Sequence, residues 1–185
     1  MISVNDLRGG NLVEFDGVLY RVSTFQHVKP GKGGGFVRLK LKNVELGTVT
    51  DKTLDSDERV AEPPVEEKEM QYLYKQGDKF VFMDTETYEQ LELTEEEVGE
   101  GHQWLKDEMS IEILFYKDRP ISVKLPITVN LKITSSEPGI KGDRVSGASK
   151  PATLETGATI QVPLFVKEGD MVKIDTRTGE YLERV

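Results

Sequence analysis

Across residues 36–42 the chain alternates with period two: Val37, Leu39 and Leu41 are aliphatic, while Arg38, Lys40 and Lys42 carry positive charge. Successive side chains of a β-strand point to opposite faces, so this stretch predicts a strand with one face in a core and a basic outer face. Similar short apolar runs recur, each closed by turn residues. Residues 11–15 run into Asp16-Gly17 and on into residues 18–22. Asp-Gly between apolar runs signals a tight hairpin, because glycine accepts the positive φ of the primed turns. The alternating strand has a partner in residues 48–52, giving a second pair. One segment reads as helix. Thr94 precedes Glu95-Glu96-Glu97-Val98, a capping box with acids in the first turn, and Gly99 and Gly101 break it before Gln103-Trp104-Leu105-Lys106. Everything else reads as strand and turn. The class is all-β.

The 185 residues suit one domain or several small barrels. Barrels of about 60 residues are marginal alone and would need to pack on one another. No run approaches the ~20 apolar residues of a membrane span. The start, Met1-Ile2-Ser3-Val4-Asn5-Asp6, lacks the basic and apolar regions of a signal peptide. Cysteine is absent, which removes disulfides, thiolate metal sites and cysteine nucleophiles. A cytoplasmic protein without a membrane partner is the expectation.

A net charge of −9 argues at first against a polyanionic partner. Its distribution argues otherwise. Residues 21–42 hold Arg21, Lys29, Lys32, Arg38, Lys40 and Lys42 and no acid, whereas residues 84–112 hold eleven acids against Lys106 alone. Screening acts over about 8 Å at physiological salt, so an approaching polyanion senses the local patch. The acidic run reads as a solvated face. The basic run reads as a phosphate-binding surface, because its charges flank a glycine-rich loop.

That loop, residues 26–35, joins the two strand pairs. Pro30 restricts φ, and Gly31, Gly33, Gly34 and Gly35 remove bulk around Lys32. It departs from a P-loop, whose lysine follows the glycines and opens a helix; here Lys32 precedes most of them and Phe36 opens a strand. Two readings stand open from the residues alone: a slender finger carrying one cation into a narrow RNA-lined cavity, or an ordinary flexible loop.

Pro63-Pro64 breaks any regular element, and a second break falls near Ile127 after Pro126. The expected divisions are 1–64, 65–127 and 128–185. Within the last two, Gly77-Asp78 followed by an apolar strand and Asp84-Thr85-Glu86-Thr87-Tyr88 echoes Gly169-Asp170, an apolar strand and Asp175-Thr176-Arg177-Thr178-Gly179-Glu180-Tyr181. Two related barrels are the reading favoured, with convergence of turn chemistry as the alternative.

Catalytic constellations are missing. His27 and His102 show no sign of meeting, the chain has too few nitrogen or sulfur ligands for zinc, and Ser146 and Ser149 do not form a Gly-x-Ser-x-Gly elbow. No enzyme activity, catalytic residue, metal or cofactor is expected.

Residues 150–169, beginning Lys150-Pro151-Ala152-Thr153-Leu154-Glu155-Thr156-Gly157 and ending Val162-Pro163-Leu164-Phe165-Val166-Lys167-Glu168-Gly169, resemble the signature of the bacterial elongation factor P family. Lys29-Pro30-Gly31-Lys32-Gly33 resembles that family's tip loop, and residues 175–181 resemble its C-terminal ending. The resemblance implies an N-terminal SH3-like (KOW-type) barrel, then two OB-fold barrels in a row, with an overall shape like transfer RNA. It implies a monomeric, non-enzymatic factor that binds the 70S ribosome between the peptidyl and exit sites and relieves stalling at consecutive prolines.

On that resemblance, Lys32 stands near the CCA end of peptidyl-tRNA as the functional or modified tip, flanked by Lys29, Pro30, Gly31, Gly33 and Gly34. Arg21, Arg38, Lys40 and Lys42 are candidate contacts to RNA backbone. Gly142, Asp143, Arg144, Ser146 and Gly147 belong to a loop expected at the exit-site codon of the mRNA or the small subunit. Lys150, Tyr181 and Arg184 are candidate ribosome contacts, although Tyr181 also reads as a core aromatic of the last hairpin. Arg144 stands where the family usually has threonine and Ala148 where it commonly has glycine, which puts a hydroxyl contact in doubt. A modifying enzyme for Lys32 is a further implied partner; lysine there excludes only rhamnosylation of arginine. The competing readings are a general RNA-binding module and an elongation factor P-like paralogue with other stalling preferences.

Overall fold

The computed structural model describes residues 1–29, 31, 34–138 and 148–185 of the chain. It is all-β and divides into two compact units, Met1–Val65 and Glu66–Val185.

The first unit holds β1 (Ile2–Ser3), β2 (Leu12–Phe15), β3 (Val18–Val28), β4 (Phe36–Asn43), β5 (Val49–Asp55) and β6 (Arg59–Val60). A four-stranded antiparallel sheet runs β2-β3-β4-β5, and β1 pairs with β6. The Glu14 N–H donates to the Ala61 oxygen at 3.1 Å, tying β2 to the chain just after β6 and curling the sheet into a small SH3-like barrel. The predicted hairpin forms at Asp16-Gly17, where both residues have positive φ (53° and 78°), as a type I′ turn requires. The period-two reading of β4 also holds. Val37, Leu39 and Leu41 are at most 1% exposed, in one core with Val4, Leu7, Val13, Val22, Leu54 and Val60, while Arg38, Lys40 and Lys42 face solvent.

The second unit begins with β7 (Val65–Gln76), whose first residue closes the first unit, then β8 (Lys79–Asp84) and β9 (Gln90–Thr94). A single helical turn, α1 (Glu95–Val98), follows, with β10 (Ser110–Tyr116) and β11 (Arg119–Lys124) after it. The capping box is complete: Thr94 Oγ1 accepts the Glu97 N–H and Glu97 Oε2 accepts the Thr94 N–H at 2.8 Å. Beyond Gly99 the chain makes a 3-10 turn through Trp104. Then come β12 (Thr128–Ser136), β13 (Ser149–Leu154), β14 (Thr159–Pro163), β15 (Met171–Asp175) and β16 (Tyr181–Arg184). Among the described residues no helix is long and apolar enough to cross a membrane.

These strands make two five-stranded sheets, ordered β11-β10-β7-β8-β9 and β14-β13-β12-β15-β16. In each, the first strand in sequence is central, flanked by the second and third on one side and the fourth and fifth on the other. That is one shared connectivity, the OB type. Each sheet covers its own core, around Phe82 and Ile113 in the first and around Leu131, Ile133 and Ile174 in the second. Met109 and Leu125 touch both cores, and Trp104 leaves the first barrel to join the core of the second.

The internal echo is structurally real and differs from the duplication reading. In both copies the first aspartate N–H donates to the glutamate five residues on (Asp84 to Glu89 at 2.9 Å, Asp175 to Glu180 at 3.0 Å). In both, the aspartate side chain accepts the N–H two residues ahead, and the second threonine hydroxyl accepts the glutamate N–H. Tyr88 and Gly179 occupy the same positive-φ position, at 61° and 73°. Tyr88 therefore matches Gly179, not Tyr181. Moreover, the first copy joins the second and third strands of its barrel, while the other joins the fourth and fifth. The echo is one of turn chemistry and does not mark equivalent positions of a repeated barrel.

Candidate nucleic-acid interface

The basic surface is built on the β3–β4 ladder. Lys42 pairs across from Arg21, Lys40 from Thr24 and Arg38 from Gln26, so four cations lie on one outer face. The three on β4 are exposed and Arg21 is half-buried. Because direct cross-strand neighbours in an antiparallel sheet approach within ~5.5 Å, Arg21 and Lys42 concentrate like charge, which suits the face to a polyanion.

The other flank of β4 moderates this. Lys40 also pairs with Asp51 and Phe36 with Asp55, both on β5 and both on the same face. The acid-free window ended at Lys42 in sequence; strand register brings the acids back. Phe36, a core candidate by residue type, lies half-buried on this outer face, and the Arg38 guanidinium carbon sits 5.6 Å from its ring centroid. Phe25 does pack against the core, with its ring edge-on to His27 at 4.5 Å. Two further cations carry no signal in the sequence: Lys52, whose Nζ lies 4.0 Å from the Phe15 ring centroid, and Arg8, 5.4 Å from that of Phe25.

The ladder continues to its last pair, Val28 and Phe36, where the glycine-rich loop begins. The Gly35 carbonyl accepts the Ser56 N–H at 3.0 Å, which fastens one root of the loop to the barrel. A Cβ at Gly35 would meet Ser56 Oγ at 3.4 Å, whereas one at Gly31 or Gly34 would meet open space. Lys29, Gly31 and Gly34 are exposed. Pro30, Lys32 and Gly33 lie outside the described residues, as do Gly142, Asp143, Arg144, Ser146 and Gly147 between β12 and β13.

Three expected ribosome contacts fall in the last barrel, and they diverge. Lys150 is only 7% exposed, and its ammonium donates to the Glu137 carbonyl at 2.7 Å. That bond braces the end of β12 against β13 and gives the ammonium a partner within the barrel. Tyr181 is half-buried against the barrel core, so the core reading accounts for most of its ring. Arg184 is exposed. Elsewhere in this barrel, Arg177 forms a two-point pair with Asp175 (3.1 and 2.7 Å), which holds that carboxyl down at about 2. Among the described residues no set of three or more His, Asp or Glu side chains could hold a metal ion.

Family models match almost the whole chain: an elongation factor P KOW-like domain over residues 3–60, an elongation factor P OB domain over 65–123 and an elongation factor P C-terminal domain over 129–184. Elongation factor P of Moorella thermoacetica is 54% identical over 184 residues, covering 100% of both chains. That of Coprothermobacter proteolyticus is 50% identical over 185 residues, again covering 100% of both. Among solved structures, eukaryotic translation initiation factor 5A from Methanococcus jannaschii is similar with a TM-score of 0.54 and 25% identity, over 67% of this chain and 93% of that one.

An SH3-like barrel with a basic ladder, followed by two OB barrels and matched along its length by elongation factor P models, places the chain among the translation factors. The chain belongs to the elongation factor P family, and its task is that of a translation elongation factor.

Proposed function

We propose that this factor acts in the cytoplasm on the 70S ribosome, between the peptidyl and exit sites, and stimulates peptide-bond formation at consecutive prolines. Three working regions, 1–64, 65–127 and 128–185, divide the task. Arg21, Arg38, Lys40 and Lys42 seat the first on RNA backbone, and Lys32, with Lys29, Pro30, Gly31, Gly33 and Gly34 around it, meets the CCA end of peptidyl-tRNA. The loop with Gly142, Asp143, Arg144, Ser146 and Gly147 meets the exit-site codon of the mRNA or the small subunit.

The observation that carries this reading is the continuity of the cationic β3–β4 face with a loop rooted at Val28, Phe36 and Gly35. A rigid two-stranded base holds the cations in register, and exposed glycines at 31 and 34 keep the flanks slender. Proline is a poor nucleophile whose reaction is limited by positioning. A charge that docks on the tRNA end and restricts its motion lowers the barrier through orientation, and about 1.4 kcal/mol gives tenfold in rate. Covalent extension of Lys32 by a dedicated enzyme would lengthen that reach.

Synthesis of a Pro-Pro-Pro reporter in a purified translation system tests the reading. Addition of the protein, with Lys32 free or modified, restores full-length product, and Lys32→Ala lowers rescue more than it lowers ribosome binding. Absence of rescue by either form sinks the proposal. Phe36 beside Arg38 favours a second reading, a general RNA-binding module that stacks bases. Tight, salt-sensitive binding to free RNA without ribosomes would select that one, and rescue at stalling sequences other than polyproline would select the paralogue.

A further inference from the structure

Near the end of the last barrel an aromatic ring faces solvent beneath a cation. Phe165, just past β14, is 56% exposed, and the Arg184 guanidinium carbon on β16 lies 5.5 Å from its ring centroid. Arg184 Nη1 is 3.6 Å from Asp170 Oδ2, and that same oxygen accepts the Lys167 N–H at 2.9 Å. The ring lies on one side of the guanidinium and the carboxylate beside its Nη1. A guanidinium laid on a ring keeps its in-plane N–H edges available, and a fixed plane loses less freedom when it forks onto an oxyanion.

We infer that Phe165 is a positioning residue: together with Asp170 it restrains the Arg184 guanidinium so that its free N–H groups make a two-point contact with a phosphodiester group of ribosome-bound RNA. This rests on the ribosome-binding reading above. Asp170 contributes from the Nη1 side, and its long 3.6 Å separation leaves the pair loose enough for a stronger oxyanion to compete. Both Phe165 and Arg184 are more than half exposed, so the pair does little for the barrel core.

Binding of the full chain to purified 70S ribosomes, measured at several KCl concentrations, tests the pair with F165L, F165Y, R184A and the double variant F165L/R184A. R184A is expected to weaken binding about tenfold and to flatten the dependence of log K on log salt by ~0.7 for one phosphate. F165L should reproduce much of both effects, F165Y should restore them, and the double variant should bind like R184A alone, all at an unchanged thermal midpoint. F165L with wild-type affinity overturns the inference. So does an additive double variant in which F165L leaves the salt dependence untouched, since Phe165 then meets its partner directly, as on a protein surface. Wild-type protein that fails to bind ribosomes overturns the functional reading as well, so the two failures are distinguishable.

Discussion

The indole of Trp104 lies against Gly179: a Cβ built on that glycine would stand 3.1 Å from Cζ2 and 3.4 Å from Cη2 of the ring. Trp104 comes from the 3-10 turn of one OB barrel and Gly179 from the last turn of the other. Gly179 also has φ +73°, so backbone strain and the nearby ring both work against a side chain there.

Gly179→Ala is therefore expected to destabilise the second unit by about 1–3 kcal/mol, from left-handed backbone strain plus the displaced ring. Trp104 is the only tryptophan, so its fluorescence during urea unfolding reports this seam directly. Unfolding at the wild-type urea midpoint would refute the prediction.

Acid should weaken the same turn. The Arg177 guanidinium and backbone hold the Asp175 carboxyl at about 2, below its ordinary 3.8. A depressed folded-state value gives stability that is fully present above the unfolded value and is lost as pH falls through the folded one. The advantage of wild type over Asp175→Asn in urea midpoint should thus be constant above pH 5 and shrink between roughly pH 4 and pH 2. A gap that stays constant down to pH 2 would contradict this.

Lys150 separates a structural brace from a binding group. With its ammonium on the Glu137 carbonyl and 7% exposure, Lys150→Ala should cost about 1–3 kcal/mol of stability by leaving that carbonyl unpaired. Ribosome affinity measured well below the melting transition should change less than twofold. A large affinity loss at unchanged melting temperature would return Lys150 to the binding surface.

The basic face yields a prediction of opposite signs. Lys40→Gln removes a cation and should weaken ribosome binding, lowering the salt dependence by ~0.7–0.9 for each phosphate left without its cation. Asp51→Asn removes the acid paired across from it and should tighten binding, by about twofold to fivefold at low salt, with the gain fading as salt rises. Equal effects of the two changes would show that this face does not meet RNA.

Much of the fold was legible because its signals are short-range. The Asp16-Gly17 turn, the alternation of β4 and the Thr94–Glu97 capping box each lie within a few consecutive residues, and each forms as read. What could not be read depends on register or on packing between distant segments. Asp51 reaches the cationic face only because β5 pairs with β4 in one register. Phe36 shares its face with Arg38 because both have the same parity in that strand. Lys150 looks like any surface lysine until the Glu137 carbonyl is brought against it, and nothing local marks Trp104 as belonging to the core of the next barrel.

The two aspartate-led turns have a consequence for how this chain tolerates change. Most of the hydrogen bonds they share are made among six neighbouring residues, 84–89 and 175–180; the exceptions are the N–H and hydroxyl of the first threonine, which donate to the Glu69 carbonyl from Thr85 and to the Ile127 carbonyl from Thr176. Such a segment is portable: it brings most of its own folding instructions and asks of its host two antiparallel strand ends and one backbone carbonyl for the first threonine. Exchanging the cassettes, with glycine kept where φ is positive beneath the indole, would leave both hairpins closed.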